Sequence, residues 1–374
     1  MEQPNDEGLT DAEANRYARQ IVLKDIGWEG QIKLKRSTVL VAGAGGLGSP
    51  ILIQLALLGV GTIKIIDRDI VSVTDLHRQY LYRESDAGRP KAEVAVKRIR
   101  EMNPSIKVEG YAESLSYDRL LELLKGVNVV MDGLDDMKGR YALNRAAYRM
   151  KVPYIFSSAL EMYGNVSTII PGETPCLECF LGGVSDDGVR KCAVVGVHPS
   201  LLGVIAGVAI SEAVKIITGA RPSLASKLLL IDLRHFSFDS CEVTTNPNCP
   251  VSGSGTNLTD IRPPLLERAC ARDGSGTYFV NPRRTLDVDL SRLDAFAREK
   301  GYAVLSEGDV FRTLRLDDLY DLSILKSGTA MFKVKKPILD IDAAETRMKE
   351  LYEEIVEEGL SVPWKEYVAS PAQG

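Results

Sequence analysis

The stretch Val39-Leu40-Val41-Ala42-Gly43-Ala44-Gly45-Gly46-Leu47-Gly48 decides the fold. Its first half is a short, apolar, partly β-branched run of the kind buried inside a sheet. Its second half is a turn built around Gly43, Gly45, Gly46 and Gly48. Ser49–Leu58 then reads as an apolar helix ending at Gly59, and Thr62–Ile66 as a second strand ending at Asp67. Strand, glycine turn, helix and strand open a doubly wound α/β sheet. Such a turn places backbone N–H groups and a helix N-terminus beside phosphates, and glycine leaves no Cβ to hinder the ligand. An acidic residue about 20 positions further on, here Asp67, can take both ribose hydroxyls. The turn by itself suits NAD as well as ATP.

The residues that follow separate the two. Val71–Tyr82, VSVTDLHRQYLY, leads to Gly88-Arg89-Pro90-Lys91-Ala92, which opens a helix running to about Met102. A dinucleotide has no standing need for Arg78 and Lys91. A triphosphate does, because preorganised cations offset the charge that builds as pyrophosphate leaves. On spacing alone, two basic residues also fit a solvated face. Val127–Met131 is another apolar strand, with Asp132, Asp135 and Asp136 beyond its carboxyl end, where ligands of open α/β sheets bind. Arg140 and Asn144 share one face of the next helix. Pro153–Phe156 continues the sheet, and Tyr163–Ile170 alternates like an antiparallel addition. Residues 11–36 read as amphipathic helix broken at Gly27 and Gly30. Ser200–Ile217 reads as a buried helix, because Glu212 and Lys215 argue against a membrane span.

The chain has 374 residues, which suits a main domain plus a smaller one. A formal net charge of −5 gives no support to nucleic-acid binding. The acidic N-terminus, MEQPNDEGLT, lacks an apolar signal core, so the expected location is the cytoplasm, with no membrane partner. Six cysteines in such a chain suggest metal binding or catalysis before disulfides. Cys176-Leu177-Glu178-Cys179 is a CxxC, open to metal, redox or no role at all. Cys249 follows in Asn248-Cys249-Pro250-Val251-Ser252. Cys192 lies in Arg190-Lys191-Cys192-Ala193, where basic neighbours favour the nucleophilic thiolate. An inert thiol is the plain alternative.

GAGGLGS, DRD (Asp67, Asp69), TDLHRQ (Thr74, Asp75, Leu76, His77, Arg78, Gln79), GRPKA and DGLDDMKGR occur in an order that resembles the ubiquitin-like-protein activating enzymes and their ThiF- and MoeB-type relatives. The resemblance covers about residues 16–252. It implies ATP on the glycine turn at Gly46, ribose on Asp67, phosphates beside Arg78 and Lys91, and magnesium at Asp135. Arg19, in Arg16-Tyr17-Ala18-Arg19-Gln20, would reach the ATP of a neighbouring subunit, which implies a homodimer. Cys192 aligns with the cysteine of the family's crossover loop, about residues 182–198, which accepts the activated C-terminus. Cys176, Cys179 and Cys249 match three ligands of the family's structural zinc site. Ser252 stands where the fourth cysteine is usual; Cys241, water or an outside ligand are candidate replacements, and a degenerated site with buried free thiols is the plain alternative. Asp75 replaces a usual Asn, and Asp136 follows Asp135 where an Asn is usual, so the three carboxylates are candidates for a tighter magnesium site.

The expected architecture is α/β: a Rossmann-like adenylation domain over residues 1–254, with a mixed, mostly parallel sheet, followed by a small α+β domain over 255–374. GSGTN at 253–257 would be the joint. Beyond Cys270, strands are expected at Thr277–Val280, Tyr302–Leu305, Phe311–Leu316 and Thr329–Lys335, the last two as a pair. Helices are expected at Ser291–Lys300 and Asp342–Glu357. The expected activity is ATP-dependent adenylation of the C-terminal glycine of a ubiquitin-like β-grasp protein ending in Gly-Gly, then thioester transfer to Cys192 with loss of AMP. A downstream conjugating enzyme is a further candidate partner. The nearest alternative adenylates a sulfur carrier that leaves as a thiocarboxylate. An NAD-dependent oxidoreductase and a non-catalytic nucleotide-binding scaffold are the remote ones.

Overall fold

The computed structural model describes residues 8–185, 196–253, 261–269, 276–335 and 341–368. Cys192, most of the crossover loop and Cys270 lie outside the described residues.

The first sheet is built from β1 (Thr38–Ala42), β2 (Thr62–Ile66), β3 (Lys107–Tyr111), β4 (Val129–Asp132), β5 (Tyr154–Leu160), β6 (Tyr163–Ile169), β7 (Lys227–Asp232) and β8 (Ser237–Glu242). Their order is β3-β2-β1-β4-β5-β6-β7-β8. The strands from β3 to β5 pair in parallel, and β6, β7 and β8 continue antiparallel. This is the mixed, mostly parallel sheet expected from the sequence. The chain reverses its direction of winding between β1 and β4, which opens a crevice at their carboxyl ends.

Strand alternation divides the core. Val39 and Val41 of β1 pack with helices Gly48–Leu58 and Pro199–Thr218 on one face. Leu40 and Ala42 pack with helices Tyr117–Leu123 and Met137–Met150 on the other. Both faces are covered, so β1 can be apolar throughout. Among the described residues, Pro199–Thr218 is the one helix long and apolar enough to cross a membrane. It lies instead against β5 and β6, and its Glu212 carboxylate accepts from Thr168 Oγ1 at 2.9 Å and from the Leu224 N–H at 2.7 Å. The N-terminal helical stretch is three pieces, Asp11–Arg16, Ala18–Ile21 and Gly27–Arg36.

The second sheet comprises β9 (Leu266–Ala269), β10 (Gly276–Val280), β11 (Ala303–Gly308), β12 (Phe311–Arg315), β13 (Tyr320–Leu325) and β14 (Ala330–Val334). It is antiparallel in the order β11-β12-β13-β14-β10-β9. Helices Ser291–Lys300 and Ile341–Glu354 pack on it through Leu293, Phe296, Met348 and Leu351. The expected pairing of 311–316 with 329–335 is corrected here: β13 runs between those segments and pairs with both. Its sequence, YDLSIL, puts Asp321 and Ser323 between buried Tyr320, Leu322 and Ile324, a polar interruption that hides a central strand.

Candidate nucleotide site and cysteine cluster

The glycine turn leaves β1 at its carboxyl end and becomes the N-terminus of helix Gly48–Leu58. Two of its glycines are demanded by the fold. Gly43 has φ +88°, and a Cβ on Gly48 would lie 1.9 Å from the Gly43 carbonyl oxygen. Gly45 is different. A Cβ there would meet nothing nearer than Gln79 Nε2 at 3.8 Å. The Gln79 amide oxygen beside it is buried without a hydrogen-bond partner. A space kept clear of side chains, with an unsatisfied polar atom at its edge, is what a bound polar ligand requires.

Asp67 follows β2 and faces this turn. Its carboxylate accepts from the Ala44 N–H at 2.7 Å and the Asp69 N–H at 2.7 Å. Burial raises its pKa, against the opposing pull of Lys91. Lys91 opens the helix Lys91–Met102 and pairs with Asp69, and with Asp75 Oδ2 at 3.3 Å. Burial alone would lower the Lys91 pKa, but Asp69, Asp67 and Asp75 outweigh it and hold the ammonium above its ordinary value. Arg78 donates to Asp75 Oδ1 at 3.0 Å and to the Thr74 carbonyl at 2.8 Å. Both cations are about 3% exposed. The structure thus brings Asp67, Asp69, Asp75, Arg78, Gln79 and Lys91 together around one turn. His77 and Thr74 are exposed, joined by His77 Nδ1 and the Thr74 carbonyl at 3.1 Å. Leu76 is half-buried against the main core.

Asp135 is exposed just past β4. Asp136 caps the helix Met137–Met150, accepting from the Gly139 N–H at 2.6 Å. Burial pushes its pKa up to about 6, while Arg68 pulls it down and Asp135 pushes it further up. Asp75 is already occupied by Arg78, Gln79 Nε2 at 2.9 Å and the Ser72 N–H at 3.1 Å. Among the described residues, Asp75, Asp135 and Asp136 do not converge as one metal-binding group. Arg140 is a structural residue: it bonds Asp132 at 3.2 Å and the Ser157 carbonyl at 3.0 Å. Arg19 is exposed on the helix Ala18–Ile21.

Cys176, Cys179 and Cys249 converge, with Sγ–Sγ distances of 3.9 Å from Cys176 to Cys179 and 3.4 Å from Cys176 to Cys249. Tetrahedral zinc with bonds near 2.3 Å separates its sulfurs by about 3.8 Å, so the three thiols fit the ion. Ser252 Oγ lies 3.0 Å from Cys179 Sγ. Cys241 is exposed on β8 and directed at the Leu228 carbonyl, so it is not the replacement ligand. Asn144 and Arg145 secure the CxxC. Asn144 Oδ1 accepts from the Leu177 N–H at 3.1 Å, and Arg145 holds Glu178 through two bonds of 2.9 and 2.8 Å.

The profile of the ThiF family matches residues 17–251, which spans the whole first sheet and both sites. The chain belongs to the ThiF family. It is 40% identical to the sulfur carrier protein adenylyltransferase of Thermus thermophilus, over 65% of this chain and 92% of that protein. It is 34% identical to the SAMP-activating enzyme E1 of Haloferax volcanii, over 66% of this chain and 92% of that enzyme. Among solved structures it is similar to E. coli MccB with MccA-N7isoAsn, at 26% identity and a TM-score of 0.58 over 64% of this chain and 75% of that one. The matched family segment ends before β9, so the second sheet lies outside it.

Two features of this ThiF-family chain escape sequence reasoning, and a third is legible only in part. Arg68, inside DRD, bonds Glu267 of the second sheet. Arg145 looks like an ordinary surface base until Glu178 is placed opposite it. Ser252 reads as a lost cysteine, whereas its hydroxyl stays beside the cluster, 3.0 Å from Cys179 Sγ. The Ser252 position was visible in the sequence; the other two depend on long-range contacts.

Proposed function

We propose that this enzyme uses ATP to adenylate the C-terminal glycine of a ubiquitin-like β-grasp protein ending in Gly-Gly. The observation that carries the reading is the pair of buried cations, Arg78 and Lys91, beside a glycine turn whose ribose-side acid is Asp67. Two buried positive charges at a phosphate-binding turn suit a triphosphate and its leaving group better than a dinucleotide pyrophosphate. Without nucleotide, Asp69 and Asp75 neutralise them. The triphosphate competes for the same donors, and Asp67 turns from backbone amides to the ribose. Magnesium would be held by exposed Asp135, where it supplies further positive charge to the phosphates. Asp136 is committed to capping its helix and Asp75 to the cations, so neither is assigned to the metal.

Cys192, preceded by Arg190 and Lys191, accepts the carrier's C-terminus from the adenylate: the Cys192 sulfur bonds to the acyl carbon and AMP departs. Zinc is assigned to Cys176, Cys179 and Cys249, in a structural role. The exposed Arg19 and the partly exposed second face of Pro199–Thr218 support a homodimer in which Arg19 serves the neighbouring nucleotide. The adenylated carrier alternatively receives sulfur and leaves as a thiocarboxylate. That second reading is favoured by the Thermus relative, named as a sulfur carrier protein adenylyltransferase.

One experiment separates the routes. A purified small Gly-Gly protein is incubated with the enzyme and ATP, and the products are run without reductant. A thiol-sensitive conjugate lost in Cys192→Ala supports the thioester. With sulfide added, AMP release together with a thiocarboxylate at the carrier's C-terminus, unchanged in Cys192→Ala, supports the sulfur route.

A further inference from the structure

Residues 67–70 follow directly on the end of β2, and successive side chains reach different partners. Asp67 and Asp69 serve the nucleotide site, one bonded to the glycine turn and the other to Lys91. Arg68 and Ile70 contact the second sheet. Arg68 Nη1 donates to Glu267 Oε2 at 2.6 Å and to Asn281 Oδ1 at 3.2 Å. Its guanidinium stacks 4.2 Å from the centre of the Phe279 ring. Ile70 packs with Phe311 and Leu325. Ile70 also bridges to Pro90, and the Lys91 N–H donates to the Asp69 carbonyl at 2.9 Å. The same four residues therefore carry the ribose acid, the lysine anchor and the contact with the second sheet.

We propose that the second sheet is a working part of the nucleotide site, with Glu267 as a positioning residue that acts through Arg68 on Asp67, Asp69 and Lys91. This rests on the ATP reading given above. The planar guanidinium is fixed by a carboxylate, an amide and an aromatic face at once, which a lysine could not match. Asn281 is itself fixed, donating to the Pro264 carbonyl at 2.9 Å and accepting from Ser114 Oγ at 2.5 Å. The backbone on either side of Arg68 is thereby held through the second sheet. Loss of this support lets the two acids relax, and the ATP-bound state loses more than the empty one. By reciprocity, bound ATP tightens the second sheet.

The test uses the full chain and ATP alone, with no carrier. Calorimetry measures ATP affinity for wild type, Glu267→Ala, Glu267→Gln, Arg68→Ala and the double variant Arg68→Ala/Glu267→Ala. Thr285→Val is the control, because Thr285 donates to Glu113 at 2.7 Å across the same interface without touching Arg68. Glu267→Ala should weaken ATP roughly tenfold, the scale of a partly transmitted charged hydrogen bond. Glu267→Gln should weaken it less, and Thr285→Val should not change it. The double variant should be no weaker than Arg68→Ala alone. ATP should slow amide exchange in β9 and β10 of wild type but not of Arg68→Ala. Unchanged affinity in a folded Glu267→Ala or Glu267→Gln, fully additive penalties, or an equal loss in Thr285→Val would overturn the proposal. A wild-type chain that binds no ATP would overturn the adenylation reading and this proposal together, before any variant is compared.

Discussion

The Arg78 guanidinium donates to Asp75 Oδ1 at 3.0 Å, with both side chains buried beneath the glycine turn. Lys91 lies 3.3 Å from the other oxygen of the same carboxylate. Asp75 thus acts as the resident counter-ion of both phosphate-side cations. Asp75→Asn should therefore lower stability by about 1–3 kcal/mol, because two buried charges lose a partner. It should leave the magnesium dependence of ATP–pyrophosphate exchange unchanged. Denaturant unfolding and a magnesium titration check the two halves. A shifted magnesium dependence would restore Asp75 to the metal site.

Gly48 and Gly45 should respond oppositely to alanine. Gly48→Ala drives a methyl into the Gly43 carbonyl and should unfold the turn. Gly45→Ala has room and an ordinary backbone, so its melting temperature should stay close to wild type while ATP affinity falls at least tenfold. Thermal melting with and without ATP measures both effects. Equal destabilisation by the two variants would remove the argument that Gly45 is kept clear for a ligand.

Much of this architecture was readable in the chain. β1, the glycine turn and its helix are local: an apolar run, glycines at fixed offsets and a glycine C-cap. Asp67, Arg78 and Lys91 were legible because motif order places them on strand ends and a helix start. The partnership of Asp75 with both cations was not, since one carboxylate beside phosphates reads as a metal ligand until its neighbours are in place. β3 and β9 are not legible, because their sequences, KVEGY and LERA, mix charge and small residues at a sheet edge. In the sequence Arg68 stands out only as part of a motif, because its partner Glu267 is 199 residues away.

The cysteine cluster should bind one zinc per chain. Ser252→Cys should supply a fourth thiolate and tighten the ion, while Cys176→Ala should release it and lower the melting temperature. Metal analysis by mass spectrometry and melting with a chelator provide the readouts. Protein that purifies without metal and ignores the chelator would contradict a zinc site.

The Arg68–Glu267 pair sets a pH dependence. Burial pushes the Glu267 pKa up, but Arg68 outweighs it and holds the carboxyl below its ordinary value of 4.5. A depressed carboxyl adds stability in full above the ordinary value and loses it as pH falls through the lower folded value. The stability difference between wild type and Glu267→Gln should therefore be constant near neutrality and shrink in acid below about pH 4.5. Urea unfolding across that range measures it. A difference that grows in acid would show that the pair is not ionised as described.

The central claim is that the turn at Gly43–Gly48 holds ATP for attack by a carrier's C-terminal carboxylate. Exchange of radiolabelled pyrophosphate into ATP tests it most directly, with a small β-grasp protein ending in Gly-Gly as second substrate. Exchange should require the carrier, its final glycine and magnesium, and should collapse in Lys91→Ala. No exchange with intact Gly-Gly carriers, accompanied by carrier-independent oxidation of NADH or NADPH, would contradict it.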